Sequence, residues 1–190
     1  MDDNRDFNAS DLAAINEVLT GNTAAFSKIV GSYQKSMLRL AVSYLGDNAD
    51  AEDAVQEIFL KVYKSLRKFS LDRRFKPWLY SIAANHLKNR LKAGKRVKAV
   101  KEMEQRLETS SYPGPEEAFA ETEREAAVRA AVLNLPDKLR QTAALYYLQE
   151  LSVAEVGEIL NLGEENVKSR LHRARKKLRE YFDRNTTAAD

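Results

Sequence analysis

The stretch Leu151–Leu178, LSVAEVGEILNLGEENVKSRLHRARKKL, decides how the rest of the chain is read. Ser152 and Glu155 form an S-x-x-E capping box, in which each side chain satisfies a backbone N–H at the start of a helix. Gly157 has no side chain and lets two helices cross closely. Asn161, four residues on, stands where the turn needs left-handed backbone angles, and Asn accepts these best after Gly. Val167, six further, is an inward plug. At about 100° per residue, Val167, Leu171, Ala174 and Leu178 share one stripe, and Ser169, His172, Arg173 and Lys176 lie opposite. The pattern predicts a helix-turn-helix whose second helix has one apolar and one cationic face.

Between Asn166 and Arg179 stand seven Lys or Arg residues and no carboxylate. Alone, such a run describes a solvated helix face. Behind a capped helix at this spacing it describes a DNA-reading helix. A helix lying on a membrane would need bulky apolar anchors, and Ala174 at the centre of the stripe is not one. Recognition helices turn their N-terminal part toward base edges, which puts Lys168, Ser169, Arg170, His172 and Arg173 nearest the major groove. Arg175, Lys176, Lys177 and Arg179 are then left for phosphates.

The whole chain has 190 residues, of which 44% are hydrophobic, enough for one domain or two small ones with real cores. It has no cysteine, which removes disulfides, thiolate metal sites and cysteine nucleophiles together. No run of about eighteen apolar residues occurs, and the start MDDNRDFNAS lacks the features of a signal peptide, so a cytoplasmic protein with no membrane contact of its own is expected. The net charge is only +3, but charge is sorted into blocks. Asp47, Asp50, Glu52, Asp53 and Glu57 form an acidic block. Lys88 to Lys101, KNRLKAGKRVKAVK, carries seven cations and no acid. A polyanion would meet two separate basic surfaces, and the acidic one is left for another partner.

Apolar residues recur at helical spacing almost throughout, and the chain is read as all-α with six or more helices. Helices are expected over Asp11–Leu19, Thr23–Leu45, about Asp50 to Lys68, and Trp78–Ala93 with Pro77 in its first turn. From Gly94 to about Glu116 the periodicity fades and SSYPGP intervenes, which marks a linker. Residues 1–93 thus form one domain, 94–116 a flexible linker, and 117–185 a second domain. There Ala118–Leu133 is helical, and another helix runs from Pro136 to about Glu150.

In the first domain, WLYSIAANHLKNRLK places Ser81, Asn85, Lys88, Asn89 and Lys92 on or near one side of a helix. Amides beside ammoniums suit base edges with phosphates. Just before it, Phe69, Phe75, Trp78 and Tyr80 surround Arg73, Arg74 and Lys76. Rings that stack on exposed bases and cations that track a strand are what unpaired nucleotides need, although core packing explains Trp78 and Tyr80 taken singly. The helix DAEDAVQEIFLKVY shows Asp53, Gln56 and Glu57 on its polar side. These groups would repel DNA and suit a protein partner with a basic surface. A carboxylate metal enzyme is disfavoured, because no E-x-x-H occurs, and no glycine-rich phosphate loop is visible. No catalytic residue, metal site or cofactor is expected.

GDNADAEDAVQEIFLKVYKSLRKF, FKPWLYSIAANHLKNRLK and LPDKLRQTAALYYLQELSVAEVGEILNLGEENVKSRLHRARKKL, in that order, resemble regions two and four of the bacterial sigma-70 family in its extracytoplasmic-function subgroup. The resemblance covers about Ala24 to Leu178 and leaves no room for a region-three domain. It implies a region-two helical bundle and a region-four helix-turn-helix, acting as a promoter-specificity subunit of RNA polymerase rather than as an enzyme. Asp53, Gln56 and Glu57 match the D-x-x-Q-E core that binds the clamp coiled coil of the polymerase β′ subunit, and region four meets the β flap. Arg73, Arg74, Phe75, Lys76, Tyr80, Asn85, Lys88, Asn89 and Lys92 fall in the minus-10 reader, where Ser70 to Lys76 match the loop that captures a flipped base. Lys168, Ser169, Arg170, His172, Arg173 and Lys176 fall in the minus-35 reader. The resemblance also implies an anti-sigma factor as partner. Without the region-two match, the residues alone would leave a stand-alone helix-turn-helix regulator open.

Overall fold

The computed structural model describes residues 3–104 and 123–186. These residues are almost wholly helical, in the order α1 (Asp3–Leu19), α2 (Phe26–Leu45), α3 (Asn48–Ser65), α4 (Phe75–Glu104), α5 (Glu123–Leu133), α6 (Asp137–Ala143), α7 (Val153–Leu160) and α8 (Glu164–Thr186). Short 3-10 turns precede α2 and follow α3, and a π-helical turn, Ala144–Leu148, follows α6.

Local chemistry sets the boundaries that matter for the site. Gly46 ends α2 in the left-handed region at φ 83°, and its N–H donates to Val42 O. Asp47 then caps α3 by accepting from the Asp50 N–H at 2.8 Å. The chain therefore reverses in two residues, and α3 packs antiparallel on α2. Ala51, Ala54, Val55, Ile58, Phe59 and Val62 are the buried stripe of α3, and they meet Ile29, Tyr33, Met37, Leu40 and Tyr44 of α2 within one core. α4 closes the bundle with Phe75, Leu79, Ala83 and Leu87. The Tyr33 hydroxyl donates to the buried Asp11 carboxylate at 2.5 Å, which fastens α1 to α2.

The expected capping box is present with both arms: the Glu155 N–H donates to Ser152 Oγ at 3.2 Å, and the Ser152 N–H donates to Glu155 Oε2 at 2.9 Å. Asn161 is left-handed at φ 53°, ψ 57°. A Cβ on Gly157 would lie 2.7 Å from the Leu162 carbonyl oxygen, so the tight α7–α8 turn requires glycine there. Val167, Leu171 and Ala174 are buried.

Three expectations shift. α4 does not stop at Ala93 but continues to Glu104, because Gly94 costs only about 1 kcal/mol within a run of good helix formers. The proposed linker therefore begins as helix, and residues 105–122, including SSYPGP, lie outside the described residues. The helix expected from Pro136 to Glu150 is divided into α6 and the π-helical turn. Finally, the two helical units share a core. The cluster that begins at Ala14 and Ile15 runs through Leu79 and Tyr80 and on into Leu145, Leu151, Val156, Ile159 and Leu171. A smaller group, Leu135, Leu139, Ala143 and Ala174, sits under α8.

Candidate nucleic-acid interface

The surface of α8 is cationic from Lys168 to Arg179, between Glu164 and Glu165 at its start and Glu180 and Asp183 further on. Lys168, His172, Arg173, Arg175, Lys176, Lys177 and Arg179 are exposed, and Ser169 and Arg170 are half-buried beside them. The buried stripe turns this face outward, since burying Val167, Leu171 and Ala174 fixes the rotation of the helix. Lys168 Nζ donates to Glu165 Oε1 at 2.7 Å, and that bond holds its ammonium above the ordinary lysine range. Arg173 Nη2 donates to Ser169 Oγ at 2.9 Å, which steadies the guanidinium over the N-terminal part of the helix. Arg175 donates to the Tyr147 hydroxyl at 3.2 Å.

The second cationic surface belongs to α4 and the loop before it. Asn85, Lys88, Asn89 and Lys92 are exposed along one side of α4, while Leu79, Ala83 and Leu87 are buried on the other. Arg73 and Arg74 are exposed, and Lys76 is half-buried. The two aromatic candidates lie elsewhere. Phe75 is fully buried, with ring centroids 5.9 Å from Tyr33 and 5.6 Å from both Phe69 and Trp78. Tyr80 is 1% exposed, and its hydroxyl donates to Gln149 Oε1 at 2.8 Å. Neither ring is open to a base in this arrangement: Phe75 lies in register with Leu79 on the core face of α4, and Tyr80 faces the second unit.

On α3, Asp53, Gln56 and Glu57 are exposed, and Leu60, 58% exposed, continues the same face. Sequence reasoning missed how α4 braces this face. Arg90 reaches Asp50 at 3.2 Å, Glu57 at 3.3 Å and Asp53 at 3.8 Å. Buried His86, one turn earlier, accepts at Nδ1 from Lys61, and its Nε2 lies 3.1 Å from Glu57 Oε2 without hydrogen-bond alignment. Burial, followed by the Lys61 charge, pulls the His86 pKa below its ordinary value, against the pull of Glu57. The signal was available in the sequence: His86 and Arg90 are spaced i, i+4, but pairing them with α3 needs the packing of two helices.

Among the described residues no cluster of three or more His, Cys, Asp or Glu side chains is placed to hold a metal ion, and no helix is long and apolar enough to cross a membrane. What the surfaces can do is bind: two cationic faces suit DNA, and one acidic face suits a basic protein.

Comparison with known proteins gives the family. Residues 29–97 match the family model for sigma-70 region 2, and residues 125–178 match the model for sigma-70 region 4. The chain is 34% identical over 178 residues to the ECF RNA polymerase sigma factor SigW of Bacillus subtilis, covering 87% of this chain and 92% of that protein. It is 33% identical over 174 residues to the ECF RNA polymerase sigma-E factor of Escherichia coli K12, covering 87% and 91%. The fold is shared with CnrH, solved in complex with the cytosolic domain of CnrY, at a TM-score of 0.70 and 24% identity, over 92% of this chain and 97% of that one. It is also shared with the sigma factor RpoE of Bartonella quintana, solved with the anti-sigma factor NepR, at 0.66 and 22%, over 83% and 96%. With both regions present in order and relatives matched over nearly their whole length, the chain belongs to the sigma-70 family of RNA polymerase sigma factors, in its extracytoplasmic-function subgroup.

Proposed function

We propose that this sigma factor, which directs promoter-specific transcription and is not itself an enzyme, divides its work among the three surfaces described. The observation that carries this reading is their coexistence in one chain, with DNA-type faces on α4 and α8 and a protein-type face on α3. Asp53, Gln56 and Glu57 bind the clamp coiled coil of the polymerase β′ subunit, and the α5–α8 unit meets the β flap. Lys168, Ser169, Arg170, His172 and Arg173 read the minus-35 element in the major groove, with Lys176 on phosphate. Asn85, Lys88, Asn89 and Lys92, with Arg73, Arg74 and Lys76, engage the minus-10 element and its separated strand. Binding energy supplies the specificity, and the nucleotidyl transfer belongs to the polymerase. The protein works in the cytoplasm, where an anti-sigma factor holds it until a signal releases it. NepR is named as such a partner for the Bartonella quintana relative.

Purified chain and core polymerase, incubated with genomic fragments, should give promoter-dependent transcripts. Tight operator binding without transcripts would identify a stand-alone regulator instead. Asp53→Arg should weaken polymerase binding and leave duplex binding by α8 intact; equal loss of both would overturn the assignment of the α3 face.

A further inference from the structure

We propose that Tyr147 and Arg175 form a phosphate-binding site on the flank of the helix-turn-helix, where the tyrosine hydroxyl holds the guanidinium and gives its own proton to a backbone phosphate of the promoter duplex. The proposal rests on the minus-35 reading by α8 stated above, and it adds a DNA-contacting residue from outside that helix.

The site begins with an irregularity in the backbone. After Ala143 the helix widens into the π-helical turn Ala144–Leu148, and single turns of this kind are frequent at functional sites. The chain then passes through Glu150 in the left-handed region at φ 53°, a conformation that costs free energy for any residue with a Cβ. Leu151 N–H closes the segment by donating to Leu145 O at 3.4 Å. Two departures from regular backbone thus stand side by side, and what they turn outward is Tyr147. Ala144 and Leu145 of the turn are buried, Tyr146 and Leu148 are half-buried against the core, and Tyr147 is 44% exposed. Its ring is held all the same, edge-on to Tyr146 with centroids 4.9 Å apart.

Beside it runs a ridge of cations. On α8, Lys168, His172, Arg175 and Arg179 follow one another at spacings of four, three and four residues, so they share one row, and all four are exposed. The first two belong to the part assigned to the major groove. Arg175 and Arg179 lie further along, where the helix leaves the groove and backbone phosphates are the nearest groups. Arg175 Nη1 donates to the Tyr147 hydroxyl at 3.2 Å, a bond between elements 28 residues apart in sequence. Among the described residues no carboxylate pairs with Arg175, so its other N–H groups are free for an anion. In the same bond the phenol oxygen is the acceptor, and among the described residues the phenol proton has no acceptor of its own. A hydroxyl that accepts from a guanidinium is polarised toward donation, and its proton beside a cation is what a phosphate oxygen fits. A contact serving the fold alone would need only the ring, which already packs on Tyr146; the hydroxyl and the guanidinium are surplus to that packing.

Fluorescence anisotropy with the full-length chain tests the site on two labelled duplexes, one carrying the upstream half of a promoter that the chain transcribes with core polymerase and one of random sequence. Tyr147→Phe keeps the ring on Tyr146 and removes only an exposed hydroxyl, so the urea unfolding midpoint should stay in place. Its affinity for both duplexes should fall about threefold to tenfold, the scale of one net hydrogen bond. Arg175→Ala should lower both affinities further and flatten the salt dependence by about one unit of slope, as loss of one phosphate contact does. Arg175→Lys should restore that slope. In the Arg175→Ala background, Tyr147→Phe should add little, because the phenol then has no guanidinium to hold. Unchanged affinity in Tyr147→Phe, a loss confined to one base pair, or the same loss with and without Arg175 would overturn the proposal. Transcription by wild type with core polymerase, measured in parallel, tells the two failures apart: promoter-dependent transcripts beside an inert Tyr147→Phe refute the site alone, and their absence refutes the promoter reading on which it rests.

Discussion

Single residues in the helix-turn-helix have roles that can be separated by small changes. Gly157 is required by contact: a Cβ would press on the Leu162 carbonyl, a backbone atom that moves only with the whole turn. Gly157→Ala should cost about 1–3 kcal/mol in urea unfolding, as other overpacked sites do. Arg173 is different, since it is exposed and its guanidinium hydrogen-bonds Ser169 on the same helix, so it contributes little to the fold. Arg173→Ala should leave the unfolding midpoint alone and cost about 1–3 kcal/mol of duplex binding at one minus-35 base pair. A uniform loss over all sequences, with a smaller salt slope, would place it on phosphate instead.

At the scale of elements, α3 and α4 hold each other through a seam that is electrostatic at its rim and titratable inside. Lys61 donates to neutral His86, and Arg90 spans Asp50, Asp53 and Glu57. The folded His86 pKa is lowered from 6.5, so below that pH the unfolded chain takes up a proton that the folded chain resists. Stability from this residue is full above 6.5 and is lost as pH falls from 6.5 through the lowered folded value. Urea unfolding at about pH 7.5 and about pH 5.5 should show wild type losing more stability than His86→Gln, which keeps a polar group but cannot titrate. An equal loss in both would remove His86 from the seam. These elements also show where the sequence was readable. The capping box, Asn161 and the inward stripe of α8 were legible because each follows from local spacing. Asp53, Gln56 and Glu57 were legible as an exposed face. The burial of Phe75 and Tyr80 was not legible, because aromatics among cations look alike in a groove and in a core, and only packing tells them apart. Arg90 needed its partners on α3, a distant helix, which no local pattern supplies.

For the whole molecule, the main surprise is the continuous core. Composition and the proline-glycine punctuation suggested two domains joined by a flexible linker, and Leu145, Leu151, Val156 and Ile159 of the second pack into the cluster that holds Leu79 and Tyr80 of the first. The surfaces that meet are short, and their apolar residues also serve their own units, so nothing in either half marks them as shared. A shared core has a thermodynamic consequence. The chain has one tryptophan, Trp78 at the start of α4, while helix content reports both halves. Unfolding in urea should therefore give coincident transitions by Trp78 fluorescence and by circular dichroism, as one cooperative unit does. Val156 is fully buried on α7, in the other half. Val156→Ala removes two buried methyl groups and leaves a small cavity, a loss of about 2 kcal/mol. If the core is one, that loss should appear in the Trp78 transition although residue 156 lies in the second unit. If the halves are independent, the Trp78 midpoint will stay in place while the circular dichroism curve splits in two.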